Sequence, residues 1–232
     1  MNWVDVAFGV KKLPEKVIVL AGLPPSYKVL TRIKNIFDNT KKVKESLFKA
    51  YICKKKSKSY FLVVGLYGAT KVLELVNLLK FGKCKNLLFI GRVGAIPGIE
   101  IGSILIPNKV RCLDGTSNIT DKKLKYSKHS ENLKTKVFDK LKEFNTLDYN
   151  SVSIPHIFHD IDWTLEEQSK YKIVDMELGP FLFFADRAKM NAVGIYIVSD
   201  QAHKPNATIE DFHLDKQKIR THRLIEVVSA LI

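Results

Sequence analysis

Three short apolar runs punctuate the first hundred residues, at 17–21 (VIVLA), 61–65 (FLVVG) and 87–90 (LLFI). Each is rich in β-branched or aromatic residues and meets a glycine at its end, the pattern of a strand buried on both faces. Gly68 then precedes a segment, 69–79, in which Val72, Leu75, Val76 and Leu79 recur at helical spacing. Residues 99–107 (IEIGSILIP) alternate and end at proline, as a strand entering a loop does. From Asp114 to Asn150 the chain is polar and lysine-rich. Within it Leu133, Val137, Leu141 and Phe144 share one face, which predicts an amphipathic helix over 130–144. A strand pattern resumes at 151–157, followed by a Leu- and Phe-rich helix over 176–190 that Gly179-Pro180 interrupts near its start. Residues 192–198 (AVGIYIV) read as another buried strand ending at Ser199-Asp200, and 219–232 as a terminal amphipathic helix.

Strands alternate with helices, with no internal repeat and no low-complexity linker. The expectation is an α/β fold: a single domain over residues 1–232 with a central mixed β-sheet flanked by helices. Ligands of such sheets bind beyond the carboxyl ends of the strands.

Composition narrows the class. With 232 residues, 46% hydrophobic and 27% charged, the chain can bury a sizeable core, which excludes a disordered chain and a disulfide-stapled miniprotein. The formal net charge is +14, which suits polyanionic partners or small anionic substrates; a solvated lysine-rich surface accounts for it equally well. Lys54-Lys55-Lys56 has no interleaved aromatics, so the basic tracts read as solvated faces and nucleic acid is not an expected partner. Cys53, Cys84 and Cys112 are odd in number and lack CxxC spacing, which argues against disulfides or a zinc site and fits a reducing compartment. The six histidines show no metal-ligand spacing, so neither metal nor cofactor is expected. No apolar stretch approaches the roughly 18–20 residues of a membrane span, and the first residues, MNWVD, do not begin a signal peptide. A cytoplasmic protein is expected.

The candidate chemistry lies at strand ends. Gly22-Leu23-Pro24-Pro25-Ser26 follows the first run, and a glycine there lets backbone amides approach an anion, although a plain turn explains it too. Gly65-Leu66-Tyr67-Gly68 repeats the design ahead of a helix whose N-terminus carries free N–H groups; a tight turn is the competing explanation. Gly91-Arg92-Val93-Gly94 places an arginine between glycines, in what reads as a loop, where it could hold an oxyanion. Asp175-Met176-Glu177 opens a helix with two carboxylates, which also complement a helix dipole. Asp200 ends an apolar strand, where partial desolvation raises a carboxyl pKa and suits it to give or share a proton; a helix cap is the alternative.

Taken in order, these segments resemble the purine nucleoside phosphorylase/uridine phosphorylase superfamily. Gly91 to Ile96, then Ile101-Gly102-Ser103-Ile104-Leu105-Ile106-Pro107, then Arg111-Cys112-Leu113-Asp114-Gly115-Thr116-Ser117 match its glycine loop, its "VGDIVIP"-type strand and its "RxDGTS" segment. Asp175-Met176-Glu177 is similar to its "EME" motif and Val198-Ser199-Asp200 to its "VSD" motif. The resemblance implies that Glu177 holds the ribose hydroxyls, that Met176 packs on the sugar, and that Ser199-Asp200 serves the base, Asp200 meeting N7 of a purine. It also places an aromatic, read here as Phe158, against the base; a core phenylalanine is the equal alternative. Phosphate would fall to Gly22, Gly68, Gly91 and Arg92. The family's "GDPxR" is here Gly22-Leu23-Pro24-Pro25-Ser26, and Phe89 stands where many relatives carry a second phosphate-binding arginine. The implied function is phosphorolysis of a purine nucleoside with inorganic phosphate as co-substrate, in a homo-oligomer (a dimer or trimer of dimers). A nucleosidase using water and a nucleoside-binding protein without turnover are the alternatives.

Overall fold

The computed structural model describes residues 2–22, 25–44, 47–144, 146–155, 170–201 and 214–232. The apolar runs become the centre of one mixed sheet of eleven strands. β1 (Lys16–Ala21) lies between β4 (Lys58–Leu66) and β5 (Asn86–Ala95), parallel to both. β2 (Asn39–Lys42) and β3 (Lys49–Lys55) form an antiparallel edge next to β4. The long β11 (Asn191–Gln201) runs parallel along the whole of β5 and pairs with the short β6 (Ile104–Leu105). On the other wing β10 (Ile173–Asp175) joins β9 (Ser151–Ser153), β7 (Val110–Cys112) and β8 (Tyr126–Ser127).

β1 and β10 share one edge of β5. β1 pairs with Asn86 through Ile90, and β10 takes over, antiparallel, only at Gly94 and Ala95. Between those rungs the sheet opens on that edge, at the carboxyl end of β1.

Strict alternation divides the core into two layers. Val17, Val19 and Ala21 of β1, with Leu87, Phe89 and Val93 of β5, point to one face. That face is covered by α1 (Trp3–Phe8), α3 (Ala69–Phe81) and α6 (Leu178–Arg187). Ile18, Leu20, Leu88 and Ile90 point to the other. There they meet α2 (Tyr27–Lys34), α5 (Glu131–Leu141) and α7 (Leu214–Leu231). A five-residue helix, α4 (Thr116–Thr120), completes the described helices. α6 sits against β11 because Gly194 has no side chain: a Cβ there would lie 2.2 Å from Leu178 Cδ1.

Several expectations change. Residues 91–95 are strand, not loop, because β11 pairs with them throughout. Of 99–107 only Ile104–Leu105 is strand, since Gly102 adopts φ +89° where the loop meets Ile219. The helix expected from 176 begins at Leu178, Asp175 being the last residue of β10. Among the described residues no helix is long and apolar enough to cross a membrane.

Candidate active site

Glu177 is the deepest functional candidate. β10 runs antiparallel to β5, so the residues after Asp175 head back toward the opening between β1 and β10. There Glu177, 5% exposed, accepts a 2.8 Å hydrogen bond at Oε1 from the backbone N–H of Gly68, the residue that caps α3. Burial, and secondarily the charge of Asp175, push the Glu177 carboxyl up to about 8; the Gly68 N–H opposes both. A carboxyl in this setting holds its proton near neutrality unless a ligand supplies further donors.

Asp175 keeps Glu177 in place. Its Oδ2 accepts from the N–H groups of Glu177 (3.0 Å) and Leu178 (2.6 Å), satisfying the first donors of α6. Its other oxygen accepts from the Ser153 hydroxyl, across the β9–β10 rung that pairs these two residues. Ser153 Oγ in turn accepts from Gly179 N–H at 2.7 Å. Burial raises the Asp175 pKa despite these donors. The hydroxyls of Tyr196 and Ser151 are buried in the same region and make no hydrogen bond of good geometry. Met176 packs beside Val152, Ile154 and Val174.

The second group gathers on β11. A β-bulge at Ser199 brings Val198 opposite Val93 and Asp200 opposite Gly94. Bulges re-aim side chains; this one sets Asp200 on the rung of Gly94, two residues from Arg92 and on its face of β5. The Ser199 hydroxyl lies between Val93 O (3.2 Å) and the Asp200 carboxylate. Val174 of β10 shares the Gly94 rung, so Asp200 and the Asp175–Glu177 segment flank β5 at one level.

The anion-binding expectations need correction. The Gly22 N–H donates to Leu66 O at 2.6 Å and the Gly68 N–H to Glu177, so neither amide is aimed at an anion. Gly91 is a strand residue in register with Tyr196, and a Cβ there would lie 2.6 Å from the Phe89 ring. Phe89 is fully buried, 5.1 Å centroid to centroid from Phe181. Ser26 caps α2, accepting from Val29 N–H at 3.4 Å. The Arg92 guanidinium lies over Gly22, with Nε and Nη2 3.8 Å from where a Cβ would stand, an ordinary contact distance. Phe158 lies outside the described residues. Among the described residues no cluster could hold a metal ion.

With a buried carboxyl at the strand opening and an aspartate on a bulge beside it, comparison with known proteins decides the family. The model of the phosphorylase superfamily matches residues 16–232. The chain belongs to that superfamily. Solved phosphorylase and nucleosidase structures share its fold. Purine nucleoside phosphorylase from Toxoplasma gondii superposes with a TM-score of 0.77 at 14% identity, covering 94% of this chain and 90% of that one. Uridine phosphorylase from Vibrio fischeri gives 0.75 at 16% identity, over 94% and 91%. The 5′-methylthioadenosine/S-adenosylhomocysteine nucleosidase of Campylobacter jejuni gives 0.71 at 19%, over 92% and 98%. No curated protein matches the chain in sequence. Membership of this superfamily supports an enzyme acting on nucleosides.

Sequence reasoning missed the Ser153–Asp175 pair, which exists only through β9–β10 pairing.

Proposed function

We propose that the chain cleaves the N-glycosidic bond of a purine nucleoside with inorganic phosphate, giving free base and ribose 1-phosphate. The observation that carries this reading is the Glu177 carboxyl, buried at the sheet opening and tethered to Gly68 N–H. A carboxylate there can accept from both ribose hydroxyls and fix the sugar. A phosphate oxygen then forms a bond to C1′ as the C1′–N9 bond breaks, and the electron pair of that bond passes to the purine. Asp200 donates a proton, or a hydrogen bond, to N7 as negative charge builds there. The Ser199 hydroxyl, hydrogen-bonded to one oxygen of the Asp200 carboxyl group, orients it. The protein is read as a cytoplasmic homo-oligomer needing no metal or cofactor.

Hydrolysis by water is the second reading. It is favoured by the engaged amides of Gly22 and Gly68 and by Phe89 in the core, which leave fewer donors for phosphate. The test is initial release of free base from a panel of purine and pyrimidine nucleosides, with and without phosphate. Purine release that requires phosphate supports the proposal; equal rates without phosphate replace it with the nucleosidase, and nucleoside binding without release leaves a binding protein.

A further inference from the structure

The N-terminal turn of α6 has every donor engaged. Leu178 N–H goes to Asp175 Oδ2 at 2.6 Å and Gly179 N–H to Ser153 Oγ at 2.7 Å. Pro180 has no N–H, and Phe181 N–H reaches Glu177 O at 3.0 Å. This helix end is therefore a fixed platform for Glu177. Two side chains on neighbouring strands hold it, Ser153 of β9 and Asp175 of β10, and they meet because they share a rung.

The same rung continues to Cys112 of β7, and Gly179 lies against it. A Cβ at 179 would stand 2.8 Å from Ser153 Oγ and 3.1 Å from Cys112 Sγ. The glycine that interrupts the helical pattern is thus what lets Ser153 reach its N–H. The fully buried Ser153 hydroxyl gives its one proton to Asp175 Oδ1 while its oxygen accepts from Gly179. A carboxylate held at one oxygen can turn about its own bonds. With Ser153 on Oδ1, and the N–H groups of Glu177 and Leu178 on Oδ2, Asp175 is held at both. Glu177 inherits that order, its backbone tied to Asp175 and its carboxyl to Gly68 N–H.

Charge follows the same line. Burial raises Asp175, and the Ser153 hydrogen bond is the largest influence against it, favouring the charged form. Asp175 is in turn second only to burial in raising Glu177. Among the described residues, Tyr196 of β11 and Cys112 of β7 also face the pair, with Asp114 beyond Cys112. Burial pushes Cys112 up to about 11 and Tyr196 well above its ordinary value, so neither carries charge near neutrality.

We infer that Ser153 is a positioning residue of the site: by holding Asp175 Oδ1 it sets the direction of the Glu177 carboxyl and so its grip on a ribose. The ribose rests on the nucleoside-cleaving reading; the hold on Glu177 does not.

The experiment compares the parent with Ser153→Ala and Ser127→Ala, thermal midpoints confirming folding. Ser127 bonds to Gly179 O and Cys112 Sγ, each at 2.9 Å, and so reports what loosening α6 alone does. Calorimetry measures binding of formycin A and formycin B, purine C-nucleosides whose carbon–carbon glycosidic bond is not cleaved, and of the free bases adenine and hypoxanthine. Carbon-13 NMR of labelled glutamate follows the Glu177 carboxyl across pH, assigned by its loss in Glu177→Gln. Ser153→Ala should bind the C-nucleoside about tenfold more weakly, in the range of a misdirected polar contact, and the free base as the parent does. Without the Ser153 donor Asp175 is more readily neutral and raises Glu177 less, so the Glu177 titration should move from about 8 to lower pH. Ser127→Ala should leave both readouts as in the parent. Ser153→Cys, a weaker donor of similar size, should shift both in the same direction by less, and it decides the matter if Ser153→Ala does not fold. An unshifted Glu177 titration, losses as large in Ser127→Ala, or equal losses for C-nucleoside and free base overturn the role. A shifted titration in a protein that binds no C-nucleoside keeps Ser153 as the residue that sets Glu177 and overturns the function proposed above.

Discussion

Replacing Glu177 with glutamine should flatten the dependence of stability on pH between about pH 5 and about pH 8. The side chain is 5% exposed, and its pKa climbs from 4.5 to about 8, chiefly through burial and then through the charge of Asp175. With the folded pKa above the unfolded one, the native state binds more protons than the unfolded chain throughout that window. The stabilisation is complete below about pH 4.5 and is lost as pH rises through about 8. One such proton changes stability by about 1.4 kcal/mol per pH unit, so a two-unit rise within the window costs roughly 3 kcal/mol. Glutamine keeps an oxygen for the Gly68 N–H and carries no titrating proton. Asp175 is itself raised by burial, so the slope shrinks without vanishing. Urea unfolding at steps across the window measures both profiles. Parallel profiles for parent and Glu177→Gln would show that this carboxyl titrates as an ordinary exposed one, and the picture of a protonated Glu177 held at the sheet opening would be wrong.

Asp200→Asn should lower purine nucleoside cleavage by about 10²-fold or more, the range for a lost general acid; activity within a few-fold of the parent would reduce Asp200 to a structural residue of the bulge. Gly194→Ala would drive a methyl to 2.2 Å from Leu178 Cδ1, so denaturant unfolding should show a loss of about 1–3 kcal/mol as α6 is pushed off β11. Burial raises Cys53 and Cys112 to about 11 and Cys84 to about 12. A thiol reagent at mildly alkaline pH should therefore titrate none of the three in the native protein and all of them after denaturation.

The short continuous apolar runs were enough to place β1, β4, β5 and β11, though not their order in the sheet. Val17, Val19 and Ala21 against Ile18 and Leu20 already encode a sheet buried on both faces, because side chains alternate whatever the partners are. The β2 strand was invisible: Asn39–Lys42 is an exposed polar edge, held by pairing with β3 rather than by burial. Glycines 91 and 94 read as a loop because glycine is depleted in strands, yet β11 keeps them extended.

Asp200 stood out in the sequence because it ends an apolar strand, and Glu177 because Asp175-Met176-Glu177 opens a helix and is similar to a family motif. Their surroundings did not. The bond from Gly68 N–H to Glu177 spans 109 positions, and the β9–β10 rung that brings Ser153 to Asp175 spans 22. Arg92 and Arg220 line one cavity only because α7 packs on the sheet face that carries Leu88 and Ile90. Periodicity is local and fixes which way each residue points relative to its own element. Which donor meets which carboxyl depends on strand order, on the handover from β1 to β10 along β5, and on the bulge at Ser199. Those are properties of elements paired across the sheet, and they come into being only when the chain closes on itself.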